Sequence, residues 1–226
     1  AEQNPDFSQI DLFLRLNTKP YPIKENTFEM WNAYIDKDIV IKVKEIAAKY
    51  EKKVFRARDT RMKLEELITS LAYIDYRMNQ PYTEIVNVLN IYKRNDRMCA
   101  RIMSKDNVTK TLSDLSNNNP EAFLKALENV EVFINKILIL IENDSEQLRA
   151  LFNHLRKGIQ YKTDQNFYFL WAILFKVPIN ELKERKHQEF VRIAQIFSII
   201  QKTPSDYTTE KFLCELKRTE VYHDAL

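Results

Sequence analysis

Along most of the chain, apolar side chains recur every three or four residues, and short polar or proline-bearing breaks separate the segments that carry this spacing. Residues 1–9 form a polar lead-in, and Ile10 to Leu16 is a short apolar segment. Lys19-Pro20-Tyr21-Pro22 must extend or turn, because two closely spaced prolines cannot sit inside a helix. A helix is predicted over 26–34, with Asn26 or Thr27 as its cap, and a second from Asp36 or Asp38 to about Lys53. A third begins at Asp59 or Thr60, presents Leu64, Leu67, Ile68, Leu71, Ala72 and Met78 on one face, and stops at Pro81. A helix over 82–103, with a break near Asn95-Asp96, and a shorter one over 106–115 follow.

Asn119 as N-cap with Pro120 at the first helical position marks a strong helix start. That helix carries Leu127, Val130, Ile134, Ile137, Leu138 and Ile141 on one side. Asp144 or Ser145 opens the next, with Leu148, Leu151, Phe152 and Leu155 inward and Gly158 as its stop. Asp164 starts an aromatic-rich helix ending before Pro178, Glu181 to Gln201 is helical, and Asp206 caps a last helix after Pro204.

Composition sharpens this picture at one point: the 226 residues include a single glycine, Gly158. Phosphate loops and dinucleotide folds need glycine at positive φ, so neither can be written here, and hairpins are disfavoured too. The fold class expected is all-α, an irregular bundle of about nine to ten helices. The polar run Ser116 to Pro120 divides the chain into residues 1–116 and a C-terminal helical bundle, 117–226. Cys99 and Cys214 stand far apart and outside any C-x-x-C, which fits a reducing, cytoplasmic setting. The longest apolar run, Phe167 to Phe175, is half of what a bilayer span needs, and the polar N-terminus has no secretory pattern, so no membrane role is expected.

The net charge of +3 does not mark a nucleic-acid binder, but the charge is unevenly placed. Residues 40–63 hold nine Lys or Arg against three acids, and residues 93–110 six against two. Residues 114–146 hold two basic and seven acidic side chains.

Three short motifs carry a resemblance. Asp11-Leu12-Phe13-Leu14-Arg15-Leu16-Asn17-Thr18 resembles the "I-F-x-R-I/L-N-T-G-G" element of the ParB-like nuclease component of GmrSD-type restriction proteins. Glu29-Met30-Trp31-Asn32-Ala33 resembles the "E-L-R-N-A" helix that follows it in that family, and Arg61-Met62-Lys63-Leu64-Glu65-Glu66-Leu67 its basic "R-M-K-x-E-E-L" helix. Order and spacing fit over roughly residues 10–76. The family's Gly-Gly is Lys19-Pro20 here, its helix arginine is Trp31, and about two extra residues separate the first two elements. The family's D-G-Q-Q-R signature and its H-N-H partner domain have no counterpart in these residues. The resemblance therefore implies the helical part of a DNA-directed defence (restriction) nuclease, truncated just before the R-x-N element. It implies a parent that couples nucleotide hydrolysis, with a divalent metal, to DNA cleavage. No cofactor, metal site or catalytic residue is expected in this chain. The partners implied are DNA, the N-terminal catalytic domain, and a protein partner or second copy.

By the same resemblance Arg15 and Asn17 are candidates for holding phosphate; alternatively Asn17 and Thr18 cap local backbone and Arg15 pairs with a carboxylate. Arg56, Arg58, Arg61 and Lys63 cluster at a loop-to-helix junction, where helix-start amides add to the pull on phosphate, or else form a solvated face against Asp59, Glu65 and Glu66. Lys93, Arg94, Arg97 and Arg101 fall on one helical surface, as a DNA-facing strip or a solvated face. Phe167, Tyr168, Phe169, Trp171 and Phe175 read as core rather than a stacking platform, and Glu181, Glu184, His187 and Glu189 as a surface helix rather than metal ligands. The competing functional reading is a helical protein-interaction module with no nucleic-acid role.

Overall fold

The computed structural model describes residues 35–51, 53–54, 63–94, 97–103, 105–155 and 164–223. Among these are nine α-helices and one two-stranded sheet, so the fold is all-α with a single hairpin added. In order they are α1 (Lys37–Tyr50), α2 (Lys63–Met78), β1 (Leu89–Arg94), β2 (Arg97–Ile102), α3 (Lys105–Asn118), α4 (Pro120–Leu140), α5 (Ser145–Asn153), α6 (Asp164–Leu174), α7 (Ile179–Glu184), α8 (Lys186–Lys202) and α9 (Thr208–His223). Single 3-10 turns at Ile85–Asn87 and Ser205–Tyr207 precede β1 and α9. The helix predicted over 26–34, the start at Asp59 or Thr60 and the Gly158 stop lie outside the described residues.

Side-chain caps fix three helix starts. Asp36 accepts from the Asp38 amide at 2.8 Å and Asp144 from the Glu146 amide at 2.9 Å. Asn119 accepts from Ala122 at 3.2 Å, with Pro120 at the first helical position. Each satisfies an amide that the helix itself leaves without a partner. Three expectations need correction. The segment predicted as a helix over 82–103 is a 3-10 turn and a β-hairpin. The helix predicted over 181–201 is two, because Arg185 leaves helical geometry at φ −117°, ψ 22°. Asp206 lies within a 3-10 turn, and the last helix starts at Thr208, whose hydroxyl donates to the Pro204 carbonyl at 3.0 Å.

The core is built around α4, which packs against α1, α2, α3, α6, α7 and α8. Phe123, Leu127, Val130, Ile134, Ile137 and Leu140 are buried along it. One continuous apolar cluster joins residues from both sides of 116/117. A helix so enclosed must find partners for the polar side chains it buries wholly or in part. Glu131 takes Lys42 at 2.8 Å and Lys49 at 2.9 Å, both from α1. Burial works against its carboxylate, but the two lysines outweigh it and hold the group below the ordinary range. Asn135 accepts from the Tyr50 hydroxyl at 3.2 Å. Asn129 donates to buried Asp75 of α2 at 2.8 Å. Lys136, itself buried, donates to the Leu174 and Phe175 carbonyls at 2.9 and 3.1 Å, closing the end of α6.

The end of α4 shows how the chain turns without glycine. Glu142 and Asn143 adopt φ of 51° and 62°. The Asn143 amide bonds Leu138 and the Glu142 amide bonds Ile139, a Schellman closure whose left-handed position is filled by glutamate. The Glu142 carboxylate pairs with Lys186 at 3.0 Å, linking this turn to α8.

Burial pushes the Asp75 carboxyl above its ordinary range, against the pull of the Asn129 and Asn79 amides and of Lys136 and Lys125. A raised folded-state value means that the folded chain takes up this proton first. Stability from the protonated carboxyl is present at low pH and is lost as pH rises through the raised value. Asn129→Ala removes a donor to the charged form and should cost about 2 kcal/mol at neutral pH. Urea unfolding across a pH series should show that loss shrinking as acid protonates Asp75; a constant loss would contradict this account.

Candidate nucleic-acid interface

The hairpin forms because its apolar residues alternate. Leu89 and Ile91 on β1, and Met98, Ala100 and Ile102 on β2, point to the body and are buried. Asn95-Asp96, between the strands in sequence, lie outside the described residues. The pairing is antiparallel, with Asn90 opposite Arg101, Tyr92 opposite Cys99 and Arg94 opposite Arg97. Cross-strand partners share a face, so these six side chains form the outer surface of the ribbon. Asn90, Arg94, Arg97 and Arg101 are exposed. The Arg101 guanidinium lies over the Tyr92 ring, 5.5 Å from its centroid.

The ribbon is fastened to the helices on its inner face and at one edge. Lys93 pairs with Met98 on the inner face, and its ammonium donates to the Thr203 carbonyl, the C-cap of α8, at 2.6 Å. That places a cation at a helix C-terminus, where the backbone dipole favours it. Thr209, in the first turn of α9, accepts from the Ile91 amide at 3.3 Å, and its hydroxyl donates to the Ile91 carbonyl. The exposed edge of β1 is thereby closed to other strands.

The four cations read as one helical strip are therefore divided. Lys93 is a structural donor, while Arg94, Arg97 and Arg101 are gathered on the outer face by the two-residue period of a strand. Among the described residues no carboxylate comes within ion-pair distance of these three guanidiniums. Arg94 and Arg97 face each other directly, an arrangement that costs stability. Asn90 and Tyr92 complete the surface and escaped the sequence reading; the signal that could have found them is the alternation of Leu89, Ile91, Met98, Ala100 and Ile102 about Asn95-Asp96.

Of the other candidates, Lys63 begins α2 and pairs with Glu66 at 3.0 Å. Arg15, Asn17, Arg56, Arg58 and Arg61 lie outside the described residues. A cavity of about 590 Å³ opens between β2 and the starts of α2 and α6, with Arg101, Glu66, Asp164 and Tyr168 among its walls. The Tyr168 hydroxyl bonds Ser70, and burial pushes its proton affinity well above that of a free phenol. The aromatics of α6 pack inside: Phe167 meets Phe152 edge-on at 5.6 Å, and Phe169 meets Phe197 and Phe212 at 6.3 and 6.0 Å. Trp171 stacks on Phe175 at 4.7 Å. The break at Arg185 puts Glu181 and Glu184 on α7 and His187 and Glu189 on α8. Glu189 is buried against Arg192 at 2.7 Å. Among the described residues no group of three or more His, Cys, Asp or Glu is placed to hold a metal, and no helix is long and apolar enough to cross a membrane. Comparisons with family models, curated proteins and solved structures give no match to the chain.

The division of the cations is testable by stability alone. Lys93→Ala should destabilise the fold by about 1–2 kcal/mol, since it strips a charged donor from a helix end. Hydrogen exchange over residues 89–102 should quicken with it. Arg97→Ala should be neutral or stabilising by a few tenths of a kcal/mol, because it relieves the like-charge pair. Equal losses in the two variants would contradict the assignment.

Proposed function

We propose that this chain is the DNA-contacting helical part of a GmrSD-like, DNA-directed defence nuclease. In this reading it works in the cytoplasm, supplies scaffold and phosphate contacts, and leaves the chemistry to a catalytic domain of the parent protein. The observation that carries the reading is the outer face of the hairpin, where Arg94, Arg97 and Arg101 stand together with no carboxylate in reach among the described residues. A positive surface kept at a cost to stability has its use in a negative partner. The three ordered motifs of residues 10–76 support the family assignment, and the cationic run 40–63 supports the choice of partner. Arg15, Asn17, Arg56, Arg58, Arg61 and Lys63 are the proposed further phosphate contacts. The pairing of Lys63 with Glu66 is exposed, so a phosphate can displace it at little cost. The free thiols of Cys99 and Cys214 are consistent with a reducing compartment.

Fluorescence anisotropy with a labelled duplex of about two helical turns tests the reading. Binding should weaken steeply between about 50 and 200 mM salt. The Arg94→Ala, Arg97→Ala, Arg101→Ala triple variant should bind at least about tenfold more weakly, with a salt slope flatter by roughly 0.9 per phosphate contact removed. No binding at the lower salt would leave the helical protein-interaction module as the reading of the chain.

A further inference from the structure

We propose that the outer face of the ribbon lies in the major groove of duplex DNA, where its arginines take guanine edges and Asn90 takes adenine. The proposal rests on the DNA-contacting reading above and adds a groove and a kind of base contact to it.

Size is the first support. The major groove of B-form DNA is about 12 Å wide and admits a two-stranded ribbon, whereas the minor groove, at about 6 Å, does not. Six residues per strand span about 20 Å, the rise of roughly six base pairs. The ribbon lies flat on the helices with its inner face buried, so the body can follow it to the duplex without entering the groove.

The choice of cation is the second support. Lysine serves phosphate as a point charge, whereas arginine adds a planar fork that can also read an edge with two acceptors. Here the one lysine of the ribbon is turned inward to close α8, and every cation on the outer face is arginine. The planar fork of arginine matches the two acceptors that guanine shows in the major groove, and a side-chain amide matches adenine. Asn90, directly opposite Arg101, supplies that amide on the same face.

The remaining nucleic-acid forms fit less well. The major groove of an RNA duplex is too deep and narrow for side chains on a flat ribbon. A single strand asks for open aromatic faces, and the one aromatic of this surface, Tyr92, has a ring face covered by Arg101. The anchors at Lys93 and Thr209 tie the ribbon to the helices before any partner arrives, which lowers the ordering cost of binding.

The test is selection of the full chain on a duplex pool randomised over about ten base pairs, one helical turn. Selected duplexes should be enriched in guanine at fixed positions within roughly six base pairs. Replacing those guanines by 7-deazaguanine, which deletes the ring acceptor facing the major groove and leaves pairing and phosphates intact, should weaken binding about tenfold. Arg94→Lys with Arg97→Lys keeps the charge, and should keep the salt dependence while losing most of the 7-deazaguanine effect. Circular dichroism on this variant checks that it is folded. Salt-sensitive binding with no base enrichment, or with no response to 7-deazaguanine, would overturn the groove proposal and leave the DNA reading intact. Absence of binding to every duplex would overturn both.

Discussion

The enclosure of α4 is the constraint from which the rest of the arrangement follows. A helix packed by six others leaves only its outer residues, Glu121, Lys125 and Glu128 among them, to water, so its buried and half-buried polar side chains have to be met by neighbours. Those meetings decide which neighbour goes where. Glu131 and Asn135 hold α1 through Lys42, Lys49 and Tyr50. Asn129 holds α2 through Asp75, and Lys136 holds the end of α6 through two carbonyls. Apolar burial supplies the driving force for collapse but is indifferent to register; these directional contacts fix how α1, α2 and the end of α6 sit about α4. The Lys136 ammonium shows the cost, since burial pushes its pKa down and only the field of Asp75 resists.

The ribbon depends on the same logic at one remove. A two-stranded hairpin is marginal by itself and holds only when a face is buried against something else. Here α6 and α8 back β2, while α9 backs β1. Polar anchors at Lys93 and Thr209 then set its position. Both anchors reach the segment around Pro204, Lys93 through Thr203 and Ile91 through Thr209, so the break between α8 and α9 is what gives the hairpin its seat.

Most helices were legible because their signals are local. Asp36, Asn119 and Asp144 cap where the sequence places caps, and the apolar faces of α2, α4 and α5 point inward as their spacing requires. The hairpin was not legible, for two physical reasons. Lys93, Arg94, Arg97 and Arg101 happen to satisfy a helical spacing, although the strands turn Lys93 inward and the three arginines outward. Glycine scarcity then counted against a hairpin, although Glu142 shows that even a glutamate can fill a left-handed position here. The split at Arg185 was hidden because no proline or glycine marks it. For the candidate site, the arginines were visible as charges, but their common face with Asn90 and Tyr92 appears only once the strand register is known.

Register also explains why a net charge of +3 says so little about this molecule. Four of the seven acids in residues 114–146 are already engaged: Glu131 with Lys42 and Lys49, Glu128 with Lys125, Glu142 with Lys186 and Glu146 with Arg149. Asp144 is turned to the amide of Glu146 at the start of α5. Charges matched at 3–4 Å cancel over the distance at which a partner is sensed, about 8 Å at physiological salt. Arg94, Arg97 and Arg101 have no such match among the described residues and project on one side of a fixed ribbon, so their fields add. The sum over the chain is nearly neutral because the middle is acidic, yet among the described residues the acids of the middle are largely committed and the arginines of the ribbon are not. What a polyanion meets is set by that difference in commitment rather than by the total.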